Sequence, residues 1–186
     1  MRITIRSILI AALFVAAPLL ASAQDHPAGF WVTPTVEGFG KMHPLPAAAY
    51  QPEAAENYKI VFALTRSGAT PADVSPSLDR VARTVNLYVS AGVPVSHLKF
   101  VAVAYADATA VALDNAHYQA KFGVPNPNLP LIAALKKAGV DVAVCGQAVA
   151  EHNFDYAWLD SSVTLALSAL TTLSTLEHQG YVLLQL

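Results

Sequence analysis

Three short apolar runs limit what this chain can fold into. Lys59-Ile60-Val61-Phe62-Ala63-Leu64-Thr65, residues 98–105 and residues 140–145 are almost continuous in apolar side chains. That is the pattern of strands buried on both faces, not of strands with one wet side. The segments between them have helical spacing. Beyond Ser75-Pro76 or Ser77, the residues Leu78, Val81, Ala82, Val85, Tyr88 and Val89 recur at steps of three and four, which predicts a helix ended by Gly92 and Pro94. Residues 109–122 predict a second helix closed by Gly123. Pro125-Asn126-Pro127 predicts a rigid link to a third, residues 129–138, with Asn128 as its cap and Gly139 as its stop. Residues 162–178 read as one long helix and residues 180–186 as a final strand. Strands that alternate with helices predict an α/β domain with a mainly parallel sheet covered on both faces.

The chain ahead of this domain divides in two. Arg2 and Arg6 precede an apolar run from Ile8 to Leu20, followed by Ala21-Ser22-Ala23. A basic start, a short apolar stretch and a small-x-small site are the marks of a cleavable secretory signal, expected here over residues 1–23 with cleavage after Ala23. The run is shorter than the roughly 20 residues a spanning helix needs, so no stable membrane insertion is expected after cleavage. The expected compartment is the bacterial periplasm. Residues 24–57 hold Pro27, Pro34, Pro44, Pro46 and Pro52, which excludes a regular helix or central strand. They also hold Phe30, Trp31, Phe39, Met42 and Tyr50, too apolar for a solvated linker. They read as an arm laid over the domain, residues 58–186, or over a neighbouring subunit.

Composition removes several function classes. Hydrophobic residues are 54% and charged residues 13% of the 186, which excludes a disordered or polyionic chain. Removing Arg2 and Arg6 with the signal leaves nine basic against thirteen acidic side chains, net −4, so no nucleic-acid partner is expected. No G-x-S-x-G, G-x-G-x-x-G or phosphate-loop motif occurs, and no cofactor is expected. The histidines, among them His97 and His117, form no motif with defined metal spacing, and no metal is expected. Asp107, Asp114 and Asp160 could be paired as acid and base on paper, but Asp107 and Asp160 have the setting of turn or cap residues.

The single cysteine, Cys145, excludes an internal disulfide or a Cys-x-x-Cys pair. It follows Val142-Ala143-Val144, and ligands of parallel α/β sheets bind outside the carboxyl ends of strands. Gly146 lets the backbone turn tightly, and a helix opening at Gln147 would set the sulfur near a positive helix end. The position suits a nucleophile and a buried, inert cysteine equally well. His152 is near enough in sequence to act as a proton partner if the loop folds back, although a surface histidine is the simpler reading. Gln147 and Asn128 are candidate loop neighbours of the thiol, or more simply turn and cap residues.

Phe122-Gly123-Val124, Asn126-Pro127-Asn128-Leu129, Leu135-Lys136-Lys137-Ala138-Gly139-Val140 and Val144-Cys145-Gly146-Gln147 occur in that order. With Ala166-Leu167-Ser168-Ala169-Leu170-Thr171 and Gln179-Gly180-Tyr181, they resemble the DsrE/DsrF-like family of sulfur-relay proteins over residues 58–186. The signal segment makes the chain similar to an exported branch of that family. The resemblance implies a three-layer α/β/α fold, homo-oligomers as a trimer or a multiple of it, and a cysteine that accepts sulfur as a persulfide, at the position of Cys145. It implies a sulfane-sulfur or thiol donor and acceptor as partners. The chain departs from the family where Tyr105-Ala106 replaces a His-Gly found after the second strand in many relatives. The alternative is a non-catalytic oligomeric binding or scaffold protein whose cysteine is core. A small-molecule site at the strand ends beneath the arm is a third reading. The apolar surface of the 162–178 segment, wider than one stripe, suits a subunit contact or deep burial within one domain.

Overall fold

Five parallel strands carry the fold: β1 (Tyr58–Leu64), β2 (Leu98–Ala104), β3 (Asp141–Cys145), β4 (Thr164–Ala166) and β5 (Val182–Gln185), side by side in the order β4-β3-β2-β1-β5. They are seen in a computed structural model that describes residues 26–186. The segment read as a secretory signal, residues 1–23, lies outside the described residues. β1 and β2 pair over their whole length, from Tyr58 opposite Leu98 to Leu64 opposite Ala104. From β1 to β4 the chain steps in one direction across the sheet. It then crosses back to place β5 beside β1. Because parallel crossovers are right-handed, steps in one direction put their helices on one face and the return puts its helix on the other.

The helices follow that rule. α1 (Pro76–Ser90) and α3 (Leu129–Lys137) pack with Ile60, Phe62, Leu64, Phe100, Ala102 and Val144 into the main core on the first face. α5 (Ala169–His178), the helix of the return crossover, lies against β1, β2 and β5 and covers a smaller core on the second face, around Val61 and Val103. Helices thus flank the sheet on both sides, the α/β architecture that the alternation predicts. Ser75 caps α1 by accepting from the Leu78 amide, with Pro76 in the first turn. Gly123, at φ 78°, closes α2 (Asn115–Phe122) in the left-handed conformation that glycine adopts without cost.

Two expected helices are corrected. The long helix over residues 162–178 is instead β4 followed by α5. Thr164, Leu165 and Ala166 add to the sheet edge beside β3, and Ser168 restarts the chain as a helix cap by accepting from the Leu170 amide. The helix over residues 109–122 is a 3-10 helix, Ala106–Ala112, and then α2. Leu113 breaks it by bridging antiparallel to Leu159, and Asp114 caps α2 by accepting from the His117 amide at 2.8 Å. Asn128 stands at the start of α3 but does not cap it with its side chain.

The proline-rich arm is part of this chain's own fold. Val36 and Met42 are buried, and Val32 and Met42 bridge antiparallel. The arm lies on the outer side of α1, where buried Asn86 serves it four times. Its Oδ1 accepts from the amides of Thr35 and Val36, and its Nδ2 donates to the carbonyls of Phe39 and Gly40. Among the described residues, no helix is long and apolar enough to cross a membrane.

Candidate functional site

Side-chain alternation along β3 decides where the cysteine points. Val142 and Val144 face the core beneath α1 and α3, and Cys145 faces the other side, with Val61 and Val103. The backbone then turns at once into α4 (Gly146–Glu151), and Cys145 becomes its N-terminal cap. The Ala148 amide donates to Sγ at 3.4 Å. The rest of the setting is apolar: Ala148 and Ala169 are buried beside the sulfur's cluster, Tyr105 and Leu173 half-buried against it. Cys145 is 5% exposed.

On its face of the sheet the thiol shares a cluster with Ala169 and Leu173 of α5, and at its side lies the sheet edge. β4 has three residues, pairs with β3 on one side only, and sets Ala166 opposite Cys145. A side chain on Gly146 would bring its Cβ to 2.9 Å from the Ala166 carbonyl oxygen, so only glycine lets α4 start this close to the edge strand. Gln147 is exposed and its Nε2 donates to the Leu167 carbonyl at 3.2 Å. The Tyr156 hydroxyl donates to the Gly146 carbonyl at 3.2 Å. Gly146 and Gln147 therefore follow Cys145 directly and fasten the start of α4 to the edge segment beside it. Short edge segments with few buried contacts open at low free-energy cost.

The other residues singled out from sequence lie elsewhere. His152 donates through Nε2 to the Ala106 carbonyl at 3.0 Å, and its ring stacks on Phe154, which belongs to the first-face core. The structure does not bring it to the thiol. Ala106 itself has φ 50°, a left-handed conformation uncommon for a residue with a side chain. The backbone thus keeps, in an alanine, a conformation that glycine adopts freely. Asn128 is buried and fully engaged: Oδ1 accepts from the Ser75 amide at 2.8 Å, and Nδ2 donates to Asn126 Oδ1 at 3.1 Å. It ties α3 to the start of α1 and does not reach Cys145.

The strand ends do carry a cleft, on the first face. It has a volume of 380 Å³, and Ser67, Thr70, Asp107, Tyr118, Lys121 and His152 are among the residues that line it. It does not lie beneath the arm, because the arm runs along α1. Tyr118 donates to the Pro71 carbonyl at 2.9 Å, and burial raises the pKa of its hydroxyl. Lys121 holds its ammonium 5.0 Å from the Phe154 ring centre. Sequence reasoning missed Lys121, Ser67 and Thr70, which form no motif; the signal available was their place near the ends of β1 and α2. Among the described residues, no three His, Cys, Asp or Glu side chains gather where they could hold a metal ion.

The comparisons with known proteins agree with this architecture. A structure titled as a protein of unknown function, MTH1491 from Methanobacterium thermoautotrophicum, superposes with a TM-score of 0.52 at 15% identity, covering 70% of this chain and 100% of that one. At that identity the likeness shows the fold alone. No curated protein matches the sequence. The model of the DsrE/DsrF-like family matches residues 58–186, from the first residue of β1 to the last residue of the sequence. The chain belongs to the DsrE/DsrF-like family.

Proposed function

We propose that this protein is an exported sulfur carrier that holds sulfane sulfur on Cys145. The supporting observation is the placement of the family chain's one cysteine at the end of β3, with an amide donor at its sulfur and a three-residue edge strand beside it. In the loading step the Cys145 thiolate attacks the outer sulfur of a donor persulfide. A new S–S bond forms, the donor's S–S bond breaks, and the donor leaves as a thiolate. In delivery an acceptor thiolate attacks that same outer sulfur and Cys145 leaves as the thiolate. No net oxidant is consumed, and no second cysteine in the chain is required. The signal pattern of residues 1–23 supports a periplasmic location. Leu165, Leu167 and Leu170, exposed at 49, 73 and 82% along β4 and the start of α5, support a self-association face and a trimer or a multiple of it.

A second reading rests on the burial of the thiol. At 5% exposure among apolar neighbours, Cys145 also suits the core of a non-catalytic oligomeric binding protein. Intact mass of the mature protein before and after polysulfide, and again after a reductant, separates the two. A reversible gain of one sulfur, absent in Cys145→Ser with the oligomer unchanged, is the expected result. A thiol that neither loads nor alkylates until the chain unfolds overturns the carrier and leaves the binding protein.

A further inference from the structure

The arm and the end of α1 enclose a groove that the sulfur chemistry does not use. Tyr58, the first residue of β1, lines it, so it opens at the amino ends of the parallel strands, away from Cys145 at the end of β3. We propose that this groove binds a small organic cation of the quaternary-ammonium type, a free trimethylammonium compound. The proposal goes beyond the sulfur reading and does not rest on it.

The lining joins aromatic faces to negative charge. The groove has a volume of 760 Å³, within the roughly 300–1,000 Å³ usual for small-molecule sites. Tyr50, Tyr58 and Tyr88 line it together with Glu53 and Glu56, and no Lys or Arg does. Among the described residues the one ion pair joins His117 to Asp114, so neither glutamate carboxylate is neutralised there. The Glu56 amide donates to the Glu53 carbonyl at 3.1 Å, a turn that brings both glutamates to the groove. His43, the remaining basic side chain of the lining, has its Nδ1 2.8 Å from the Phe30 carbonyl. A quaternary ammonium spreads its charge over methyl groups, which are drawn to the faces of aromatic rings and need no hydrogen bond. A hard divalent ion asks for oxygen ligands throughout its shell, which tyrosine faces do not supply.

Two of the rings are fixed in advance. Tyr58 and Tyr88 stand 4.6 Å apart at 54°, and Tyr88 packs edge-on against Phe100 at 5.7 Å. The Tyr58 hydroxyl accepts from the Glu53 amide at 2.7 Å and donates to the Glu53 carbonyl at 3.1 Å, which ties that ring to the acidic turn. Tyr50 differs: its ring is fully exposed and its backbone is held at φ 57°. A bulky residue seldom keeps that conformation, and no burial of the ring offsets the strain. Gln51 holds the turn by donating through Nε2 to the carbonyls of Leu45 and Ala48 at 2.8 and 3.2 Å. The strained turn presents a third aromatic ring at the mouth of the groove.

Isothermal titration calorimetry of the purified protein with choline chloride at low salt tests this. The expected result is one site per chain, with the uncharged carbon analogue 3,3-dimethylbutan-1-ol and the primary amine ethanolamine each about tenfold weaker. The double variant Glu53→Gln, Glu56→Gln should weaken choline about five- to tenfold. Tyr50→Ala should weaken it as well, and Tyr50→Phe, which keeps the ring, should not. These side chains are exposed, so the urea midpoints of the variants should match that of the wild type. Cys145→Ser should bind choline unchanged, which separates failure of this site from failure of the sulfur reading. No binding at millimolar choline, equal binding of the uncharged analogue or of ethanolamine, or choline affinity that survives all of these substitutions overturns the site. Sedimentation with phosphatidylcholine vesicles in the absence of binding to free choline overturns the free cation as its occupant.

Discussion

Gln147 on α4 and Leu167 beyond β4 are joined by one side-chain hydrogen bond, Nε2 to carbonyl at 3.2 Å, which fastens the edge segment that leads into α5 to the helix that the only cysteine caps. An exposed bond of this kind contributes about 0.5–1.5 kcal/mol. Gln147→Ala should therefore raise the opening equilibrium of the edge segment, and with it the native-state alkylation rate of Cys145, by about two- to tenfold. Mass spectrometry of timed alkylation reads this. An unchanged rate would mean that reagents reach the sulfur by another route.

The arm's attachment to α1 can be tested at Asn86. Truncation to alanine leaves two amides and two carbonyls of the arm without their partner and should cost about 3 kcal/mol, as several buried polar groups lose satisfaction together. The urea midpoint should fall, and limited proteolysis should cut within residues 33–41 before it cuts elsewhere. Gly40→Ala should act in the same direction. A Cβ at that position would lie 2.2 Å from the Arg83 amide nitrogen, at a φ of 61°.

Asn126 is the polar knot of the first-face loops. Its Nδ2 donates to the carbonyls of Val111 and Leu113, and its Oδ1 accepts from the amide and side chain of Asn128. Asn126→Asp sets a carboxylate against two carbonyls in a buried site and should cost about 3–5 kcal/mol near neutral pH. The new carboxyl would have a raised pKa, so the loss should shrink on acidification as the group becomes neutral. Thermal unfolding at two pH values checks both parts.

Asp114 gives a pH dependence of opposite sign. The backbone N–H of His117 holds its carboxyl below the ordinary carboxylate pKa, outweighing a smaller opposing effect of burial, with the His117 ring adding to the lowering. A lowered folded pKa stabilises the native state above the unfolded value, and that stability is lost as pH falls through the folded one. Asp114→Ala should cost about 1 kcal/mol near neutral pH as a lost helix cap. The gap to the wild type should close as pH drops below the carboxylate range, followed by denaturant unfolding across pH.

What the sequence discloses about this fold depends on the length and contrast of each signal. The runs at β1, β2 and β3 are legible because both faces of each strand are buried and few polar residues interrupt them. β4 is not, because Thr164, Leu165 and Ala166 are three residues that continue the apolar pattern of the helix behind them. Only Ser168, a cap signal inside an otherwise helical stretch, separates the two. The break at Leu113 and Asp114 was hidden in the same way: a 3-10 helix and an α-helix share similar composition, and the bridge that parts them comes from Leu159, far along the chain. At the candidate site, the place of Cys145 at a strand end follows from the valines before it. Its surroundings do not, since no local pattern shows that residues 164–166 pair beside it or that Ala169 and Leu173 pack in its cluster. Asn128 and His152 looked available because their partners, Ser75 and Ala106, are distant in sequence.

The return of β5 to the side of β1 has a consequence for the order of assembly. Residues 58–64 are made early, yet one of their two hydrogen-bonding edges stays open until residues 182–185 exist to fill it. Every pairing on that edge, from Ile60 with Val182 to Ala63 with Gln185, spans the same long stretch of chain, so this closure waits for nearly all of the domain and belongs to the slow, non-local events of folding. For that interval the chain has an apolar strand with a free edge, ready to pair with another chain. Whatever holds the nascent protein through synthesis must shield that edge, and a chain shortened by its last strand would keep it open for good.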